Sequence, residues 1–116
     1  MDILLVEDHP IVRDGLKRLL SAMPAVQVRE ETTGRGALAA VRVRRPDLMI
    51  LDLNLPDIGG LDVLGRLKRE DCTVPVLVLT MHCEPIYAVR ALEAGARGYL
   101  SKGAAPDELM AAIKAV

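Results

Sequence analysis

Short apolar runs alternate with longer amphipathic segments along the chain. Continuous apolar runs occupy residues 3–6, 48–51 and 76–79, and each one ends at a polar residue. Four consecutive apolar residues without polar alternation are typical of strands that are buried on both faces, as parallel sheets require. The pattern therefore predicts three strong strands there, with weaker strands at residues 26–30 and 98–100.

Helical periodicity fills the intervals between these strands. Pro10 stands where a first-turn proline belongs, and the apolar residues that follow it up to Leu20 lie on one helical face. The same reasoning predicts further helices over residues 35–43, 61–67, 85–93 and 107–114.

Strands that alternate with helices at this spacing specify a parallel sheet with right-handed crossovers. The predicted fold class is therefore α/β, a flavodoxin-like (βα)5 three-layer sandwich with a five-stranded parallel sheet in the order 2-1-3-4-5. One domain is expected to fill residues 1–116.

Composition restricts the partners of this domain. Hydrophobic residues make up 51% of the 116 residues, but aromatic residues only 2%, which excludes a binder that stacks bases on aromatic platforms. The net charge is -1, whereas a domain that grips DNA phosphates carries a basic excess. We therefore expect no direct binding of nucleic acid by this domain.

The chain also lacks signals for membranes or secretion. No apolar run approaches the roughly 20 residues needed to span a bilayer, and Asp2 stands where a signal peptide needs basic residues. Cys72 and Cys83 are too few for a disulfide framework or a zinc site and are interpreted as ordinary thiols. These features predict a cytoplasmic domain with no membrane association.

Polar side chains stand at the ends of the predicted strands, where open α/β sheets bind their ligands. Glu7 and Asp8 follow strand 1, Asp52 follows strand 3, Thr80 ends strand 4 and Lys102 follows strand 5. Three converging carboxylates repel each other, and a divalent cation such as Mg²⁺ relieves that repulsion. A hydroxyl and an ammonium group opposite the cation suit a phosphoryl group. The pattern predicts a Mg²⁺-dependent phosphoryl site in which a carboxylate is the acceptor.

Four motifs carry a resemblance to a known family. They are LVEDHP at residues 5–10, DLMILDLNLPDIGG at 47–60, VLTMH at 78–82 and GYLSK at 98–102. With these motifs the chain resembles the receiver domain of bacterial two-component response regulators over essentially its whole length. The D-H-P start, the L-T-M-H turn and A-L-E-A-G-A-R-G-Y-L look most like the LuxR/NarL (FixJ) transcription-factor subfamily.

The resemblance implies a role for each site residue. Asp52 would be the phosphoacceptor, contacted by Thr80 and Lys102, and Thr80 and Tyr99 would form the switch. Mg²⁺, with Mn²⁺ as an alternative cation, would be held by several oxygen donors. These are Glu7 (through a water), Asp8, Asp52 and the backbone carbonyl of Asn54. Asn54 and His82 would modulate the rate of self-dephosphorylation.

The resemblance also implies a function. The domain would be a phosphorylation-activated signalling switch that accepts a phosphoryl group from a sensor histidine kinase. It would not be an enzyme beyond its self-directed phosphotransfer and dephosphorylation. The reshaped face of helix 4, strand 5 and helix 5 would control a DNA-binding helix-turn-helix domain, which is not expected within this chain. Phosphorylation would promote formation of a homodimer.

Two alternative functions remain at this point. A stand-alone receiver would act by protein–protein contact alone. A phosphatase of the haloacid dehalogenase type also forms an aspartyl-phosphate, but it needs a second Asp where this chain has Asn54, and an amide cannot serve as a general acid or base. A dinucleotide motif at residues 34–39 is disfavoured because Glu30 and Glu31 would repel a pyrophosphate.

Three positions need separate comment. Gly103 replaces the proline that commonly follows the family's lysine, which leaves the isomer of the Lys102–Gly103 peptide bond open. Met81 occupies a position that is often small and could restrict access to the acceptor. His9 is expected at the rim of the acidic site or in a helix cap, and not as a metal ligand, because it has no partner at ligand spacing.

Overall fold

A computed structural model describes residues 1–81 and 85–116, so His82 and Cys83 lie outside the described residues. Strands and helices alternate from the first residues to the last. In chain order they are β1 (Asp2–Val6), α1 (Pro10–Ser21), β2 (Gln27–Glu31), α2 (Gly34–Val43), β3 (Leu48–Asp52), α3 (Gly60–Arg69), β4 (Val76–Thr80), α4 (Pro85–Glu93), β5 (Gly98–Ser101) and α5 (Pro106–Ala115). The predicted series of elements is confirmed, and the ends of the strands differ from the prediction by one residue.

The five strands form one parallel sheet in the order β2-β1-β3-β4-β5, as predicted. Neighbouring strands β1 and β3 pair Leu5 with Ile50 and Val6 with Leu51. Strand β2 is added on one side of β1, whereas β3, β4 and β5 are added on the other side. The order of strands therefore reverses between β1 and β3. This reversal is the switch point at which ligands bind in such sheets.

Side chains that alternate along the central strands enter two separate cores. One core lies between the sheet and helices α2, α3 and α4, and the other lies between the sheet and helices α1 and α5. The first contains Leu4, Val6, Met49, Leu51 and Val78, and the second contains Ile3, Leu5, Leu48, Ile50 and Leu77. This arrangement is the three-layer sandwich that continuous apolar runs predict.

Local residue chemistry explains where several helices begin. Pro10 and Pro106 occupy the first turns of α1 and α5, where a missing N–H costs no hydrogen bond. The Thr33 hydroxyl accepts a hydrogen bond from Gly36 N at 2.9 Å and caps α2. Among the described residues every peptide bond is trans, including the bond between Lys102 and Gly103.

The length and composition of the helices decide whether any of them could cross a membrane. Within residues 1–81 and 85–116, no helix combines the length and the apolar character that are needed to cross a bilayer.

Candidate functional site

Within residues 1–81 and 85–116, buried polar residues are confined to one edge of the sheet. Among the residues that the structure describes, the three buried polar residues are Glu7, Asp52 and Thr80. Glu7 directly follows β1, Asp52 ends β3 and Thr80 ends β4. The parallel strands therefore bring to one place the groups that the sequence predicted there.

Lys102 reaches this edge from the end of β5 and pairs with both buried acids. Its Nζ lies 2.9 Å and 3.1 Å from the two carboxylate oxygens of Glu7, and 3.0 Å from Asp52 Oδ2. The side chains are 4%, 2% and 0% exposed for Lys102, Glu7 and Asp52. The backbone N–H of Lys102 donates to the Thr80 carbonyl at 2.9 Å, which fixes the start of this side chain. The result is a buried triad of two anions and one cation.

The triad shifts the pKa of each member. Burial raises the pKa of Asp52, and the charge of Glu7 adds to this effect, while hydrogen bonds from the Asn54 N–H and Lys102 oppose it. Burial also disfavours the ionised form of Glu7, but hydrogen bonds from Lys102 and His9 outweigh it and lower the pKa of Glu7. Burial disfavours the charged form of Lys102, but the two carboxylates outweigh it and raise the pKa of Lys102. Lys102 therefore remains a cation at neutral pH.

Asp8 supplies the observation that bears on a metal ion. Its Oδ1 is buried and accepts no hydrogen bond from the described residues. One donor atom each from Glu7, Asp8, His9 and Asp52 lies within 4.8 Å of the others. Carboxylate oxygens are the ligands that Mg²⁺ prefers, and a carboxylate oxygen without a donor is what a cation would satisfy. The donor set therefore fits the predicted Mg²⁺.

His9 contacts the site more closely than the sequence indicated. It is the N-cap residue of α1, and its Nδ1 lies 2.8 Å from Glu7 Oε1 and 3.3 Å from Asp8 Oδ1. The backbone N–H of His9 also donates to Glu7 Oε1 at 3.1 Å. The expectation that His9 lies at the rim of the acidic site or in a helix cap is met, but the ring's contact with Glu7 was not foreseen. The separation of only two residues between His9 and Glu7 in the sequence was the one signal that could have predicted this contact.

The remaining predicted site residues lie close by. The Asn54 N–H donates to Asp52 Oδ1 at 3.1 Å, so this residue adjoins the acceptor carboxylate. Tyr99 is half buried on β5 and packs against the core beneath α2, α3 and α4. Met81 is exposed directly after β4, and Cys72 is a free, half-buried thiol.

The start of α2 is contacted by a residue that sequence reasoning missed. Asp57, in the loop between β3 and α3, accepts hydrogen bonds from Gly34 N at 2.8 Å and Arg35 N at 3.0 Å. A pyrophosphate would need these same donors. Because the Asp57 carboxylate occupies these N–H groups, the structure favours a helix start over a dinucleotide site at residues 34–39. No local signal could have found this contact, because 23 residues separate Asp57 from Gly34.

Comparison with known proteins gives a consistent set of matches. The model of the response regulator receiver domain family matches residues 3–114. The response regulator UvrY of Escherichia coli strain K12 is 38% identical over 117 residues, which cover 100% of this chain and 54% of that protein. The transcriptional regulatory protein UhpA of Salmonella typhimurium is 44% identical over 115 residues, which cover 98% of this chain and 57% of that protein. The chain thus spans about half the length of these curated relatives.

Solved structures give the same result for the fold. A LuxR-family two-component response regulator from Aurantimonas sp. SI85-9A1 has a TM-score of 0.92 and 39% identity, with 98% of this chain and 82% of that chain covered. The receiver domain of a response regulator NarL from Mycobacterium tuberculosis has a TM-score of 0.89 and 29% identity, with 97% and 92% covered.

Proposed function

Because the chain belongs to the response regulator receiver domain family and is similar to LuxR-type regulators, we propose that Asp52 accepts a phosphoryl group and thereby switches the domain. The donor is the phosphohistidine of a sensor histidine kinase in the cytoplasm. The observation that carries the proposal is the buried triad at the switch point, in which Lys102 Nζ lies 3.0 Å from the carboxylate of Asp52. Receiver domains are signalling domains and not ordinary enzymes, so no turnover of a small substrate is expected.

The proposed reaction transfers a phosphoryl group from a histidine nitrogen of the kinase to a carboxylate oxygen of Asp52. A carboxylate oxygen of Asp52 forms a bond to phosphorus while the phosphorus–nitrogen bond of the phosphohistidine breaks, and the imidazole leaves with the electron pair. When bound, Mg²⁺ (or Mn²⁺) would neutralise charge on the phosphoryl oxygens. Lys102 would pair with a phosphoryl oxygen, and Thr80 would donate a hydrogen bond to another. Positioning and charge neutralisation supply the catalysis that such a transfer needs.

The cation would be held by the residues of the acidic cluster. Asp8 and Asp52 would be direct ligands. The Oδ1 of Asp8 accepts no hydrogen bond from the described residues and is therefore available to the cation. Glu7, whose two carboxylate oxygens contact Lys102, would act through a water, as the resemblance to the family implies. The backbone carbonyl of Asn54 would complete the protein's share of the ligands.

The signal would leave the site through Thr80 and Tyr99. Phosphorylation adds charge and acceptor oxygens beside Thr80, which draws its hydroxyl toward the phosphoryl group. Tyr99 is half buried two strand positions before Ser101, and it would turn inward into the vacated space. The face formed by α4, β5 and α5 would then change shape, promote a homodimer and control a DNA-binding helix-turn-helix domain elsewhere in the full protein.

The proposal predicts labelling at a single side chain. Incubation with Mg²⁺ and acetyl phosphate should add one phosphoryl group to the protein, measured by intact mass, and Asp52→Asn should abolish the addition. Asp14→Asn, which changes an exposed acid of α1, is the matched control and should be labelled normally. Undiminished labelling of Asp52→Asn would refute the assignment.

Dimerisation needs a separate measurement. Sedimentation velocity should show a larger species when beryllofluoride, an analogue of the phosphoryl group, is added together with Mg²⁺. A monomer under both conditions would favour a switch that acts on its partners without forming a homodimer.

A further inference from the structure

The loop between β3 and α3, residues 53–59, connects the acceptor Asp52 to the next helix and contains Asn54. Two hydrogen bonds close this loop on itself. The Asn54 N–H donates to Asp52 Oδ1 at 3.1 Å, and the Gly60 N–H donates to the Leu53 carbonyl at 2.9 Å. Neither bond fixes the outer part of the loop relative to its neighbours.

Asp57 joins the outer part of the loop to α2. Its two carboxylate oxygens accept from Gly34 N at 2.8 Å and from Arg35 N at 3.0 Å. Next to it, Ile58 packs directly on Gly34, because a Cβ at Gly34 would lie 2.4 Å from the Ile58 Cγ1. The absence of a side chain at Gly34 is what lets the loop approach this closely.

Helix α2 has a second cap that comes from its own sequence. The Thr33 hydroxyl accepts from Gly36 N at 2.9 Å, and the Thr33 carbonyl accepts from Ala37 N at 3.0 Å. Asp57 satisfies the first two N–H groups, which Thr33 does not reach. The two caps therefore differ in one respect: Thr33 stabilises only the helix, whereas Asp57 also fixes the loop to the helix.

The charge of Asp57 persists across the physiological pH range. Desolvation disfavours the ionised carboxylate, but the N–H groups of Arg35, Gly34 and Ile58 outweigh it, together with its own N–H, and lower the pKa of Asp57 to about 2. An ionised carboxylate at a helix N-terminus also interacts favourably with the helix dipole. The link between loop and helix is thus intact wherever the site would operate.

We infer that Asp57 is a positioning residue for the metal: by tying the β3–α3 loop to α2, it holds the backbone of Asn54 beside the acidic cluster and raises the affinity for Mg²⁺. This inference rests on the proposed function, since the Asn54 carbonyl is a ligand only if the cluster binds the cation. Loss of a residue that orients a ligand typically lowers metal affinity about 10- to 100-fold. Asp57 acts through three residues of chain, so we expect the lower end, about tenfold.

The wild type, three variants and two measurements test the inference, and a fourth variant, Asp8→Asn, checks the metal site itself. Mg²⁺ is titrated into the metal-free protein, and affinity is read from backbone NMR shifts in the wild type, Asp57→Ala, Asp57→Asn and Thr33→Ala. Hydrogen exchange of the amides at residues 53–59 is measured without metal. Asp57→Ala should weaken Mg²⁺ binding and accelerate exchange in the loop, and Asp57→Asn, which keeps one acceptor oxygen, should be intermediate. Thr33→Ala, the matched control, should bind Mg²⁺ as the wild type does.

The outcomes separate this inference from the proposed function. If Asp57→Ala and Thr33→Ala have the same affinity for Mg²⁺, the positioning role of Asp57 is wrong even though the wild type binds the cation. If the wild type shows no Mg²⁺-dependent shifts, or if Asp8→Asn leaves them unchanged, the proposed metal site itself is wrong. Should far-UV circular dichroism show that Asp57→Ala does not fold, the comparison of Asp57→Asn with Thr33→Ala decides the question.

Discussion

Replacing Lys102 with methionine tests the electrostatics of the buried triad. Methionine keeps most of the side-chain length but removes the charge that lies 2.9 Å from Glu7 and 3.0 Å from Asp52. Each carboxylate keeps other hydrogen bonds, because the backbone N–H and the ring of His9 contact Glu7 and the Asn54 N–H donates to Asp52. The variant therefore leaves two buried anions that are hydrogen-bonded but not neutralised.

The structure sets the size of the expected effect. Removing one partner of a buried ion pair typically costs about 3–5 kcal/mol, because the other charge stays desolvated. The retained hydrogen bonds to Glu7 and Asp52 favour the lower limit, so we expect Lys102→Met to lower the free energy of unfolding by about 3 kcal/mol at pH 7. For a domain of this size that loss corresponds to a fall in melting temperature of about 12 °C.

The effect should depend on pH in a defined direction. In the wild type the pKa of Lys102 is raised above its ordinary 10.5, so its contribution is complete at pH 7 and is lost only as the pH rises through that raised value. In the variant, burial still raises the pKa of Asp52, and of its former hydrogen-bond donors only the Asn54 N–H opposes this effect, whereas Glu7 loses Lys102 but keeps its hydrogen bonds from His9. A folded-state pKa above the unfolded value costs stability above the unfolded pKa, and protonation relieves that cost as the pH falls. The difference between wild type and variant should therefore shrink between pH 7 and pH 4.

Urea unfolding followed by far-UV circular dichroism measures this difference, since the chain contains no Trp for fluorescence. Lys17→Met is the matched control: Lys17 Nζ lies 3.0 Å from Glu30 Oε2, but its side chain is 50% exposed. Exposed pairs contribute about 0–1 kcal/mol, so this variant should be nearly neutral. The reasoning fails if the two variants lie within about 1 kcal/mol of each other at pH 7, or if acid leaves the difference unchanged.

Two further predictions concern other positions. A Cβ at Gly60 would lie 2.6 Å from the carbonyl oxygen of Asp52, whereas nothing lies within 4 Å of a Cβ at Gly15 in α1. Urea unfolding should therefore show a loss of about 1–3 kcal/mol for Gly60→Ala and a gain of about 0.5–1 kcal/mol for Gly15→Ala; effects of the same sign would contradict the packing argument. The pKa of Asp57 is about 2 against an ordinary 3.8, so its contribution to stability is present above about pH 3.8 and is lost as the pH falls through about 2. NMR titration of its carboxyl carbon should give this low value, and a midpoint near 3.8 would contradict it.

The fold could be predicted largely from local patterns because most strands are buried on both faces. All five residues of β3 and of β4 are buried, and the first four of each strand form an uninterrupted apolar run. Strand β2 lies at the edge of the sheet and contains Arg29, which donates to the Asp2 carboxylate at 3.0 Å and 3.1 Å. Its position is set by pairing with β1 and by this ion pair. For that reason the apolar pattern predicted β2 one residue too early.

The candidate site was predictable to the extent that it follows strand ends. Glu7, Asp52 and Thr80 could be placed together because parallel strands end at the same edge of the sheet. The contact between His9 and Glu7 depends on a side-chain rotamer at a helix start, which no periodicity encodes. Asp57 caps a helix that begins 23 residues before it, and sequence analysis recognises caps only within a few residues of the helix they serve.

The structure also changes the charge argument that led to the site. From the sequence, a divalent cation was expected to relieve the repulsion among Glu7, Asp8 and Asp52, yet Lys102 already pairs with Glu7 and Asp52. Only Asp8 keeps a carboxylate oxygen, Oδ1, without a hydrogen bond from the described residues. Folding of the site therefore depends on the lysine, and an entering cation must share Asp52 with it. It follows that Lys102→Met should bind Mg²⁺ more tightly than the wild type while it unfolds more easily. A general loss of structure would weaken both properties, so the opposite signs identify the effect as electrostatic.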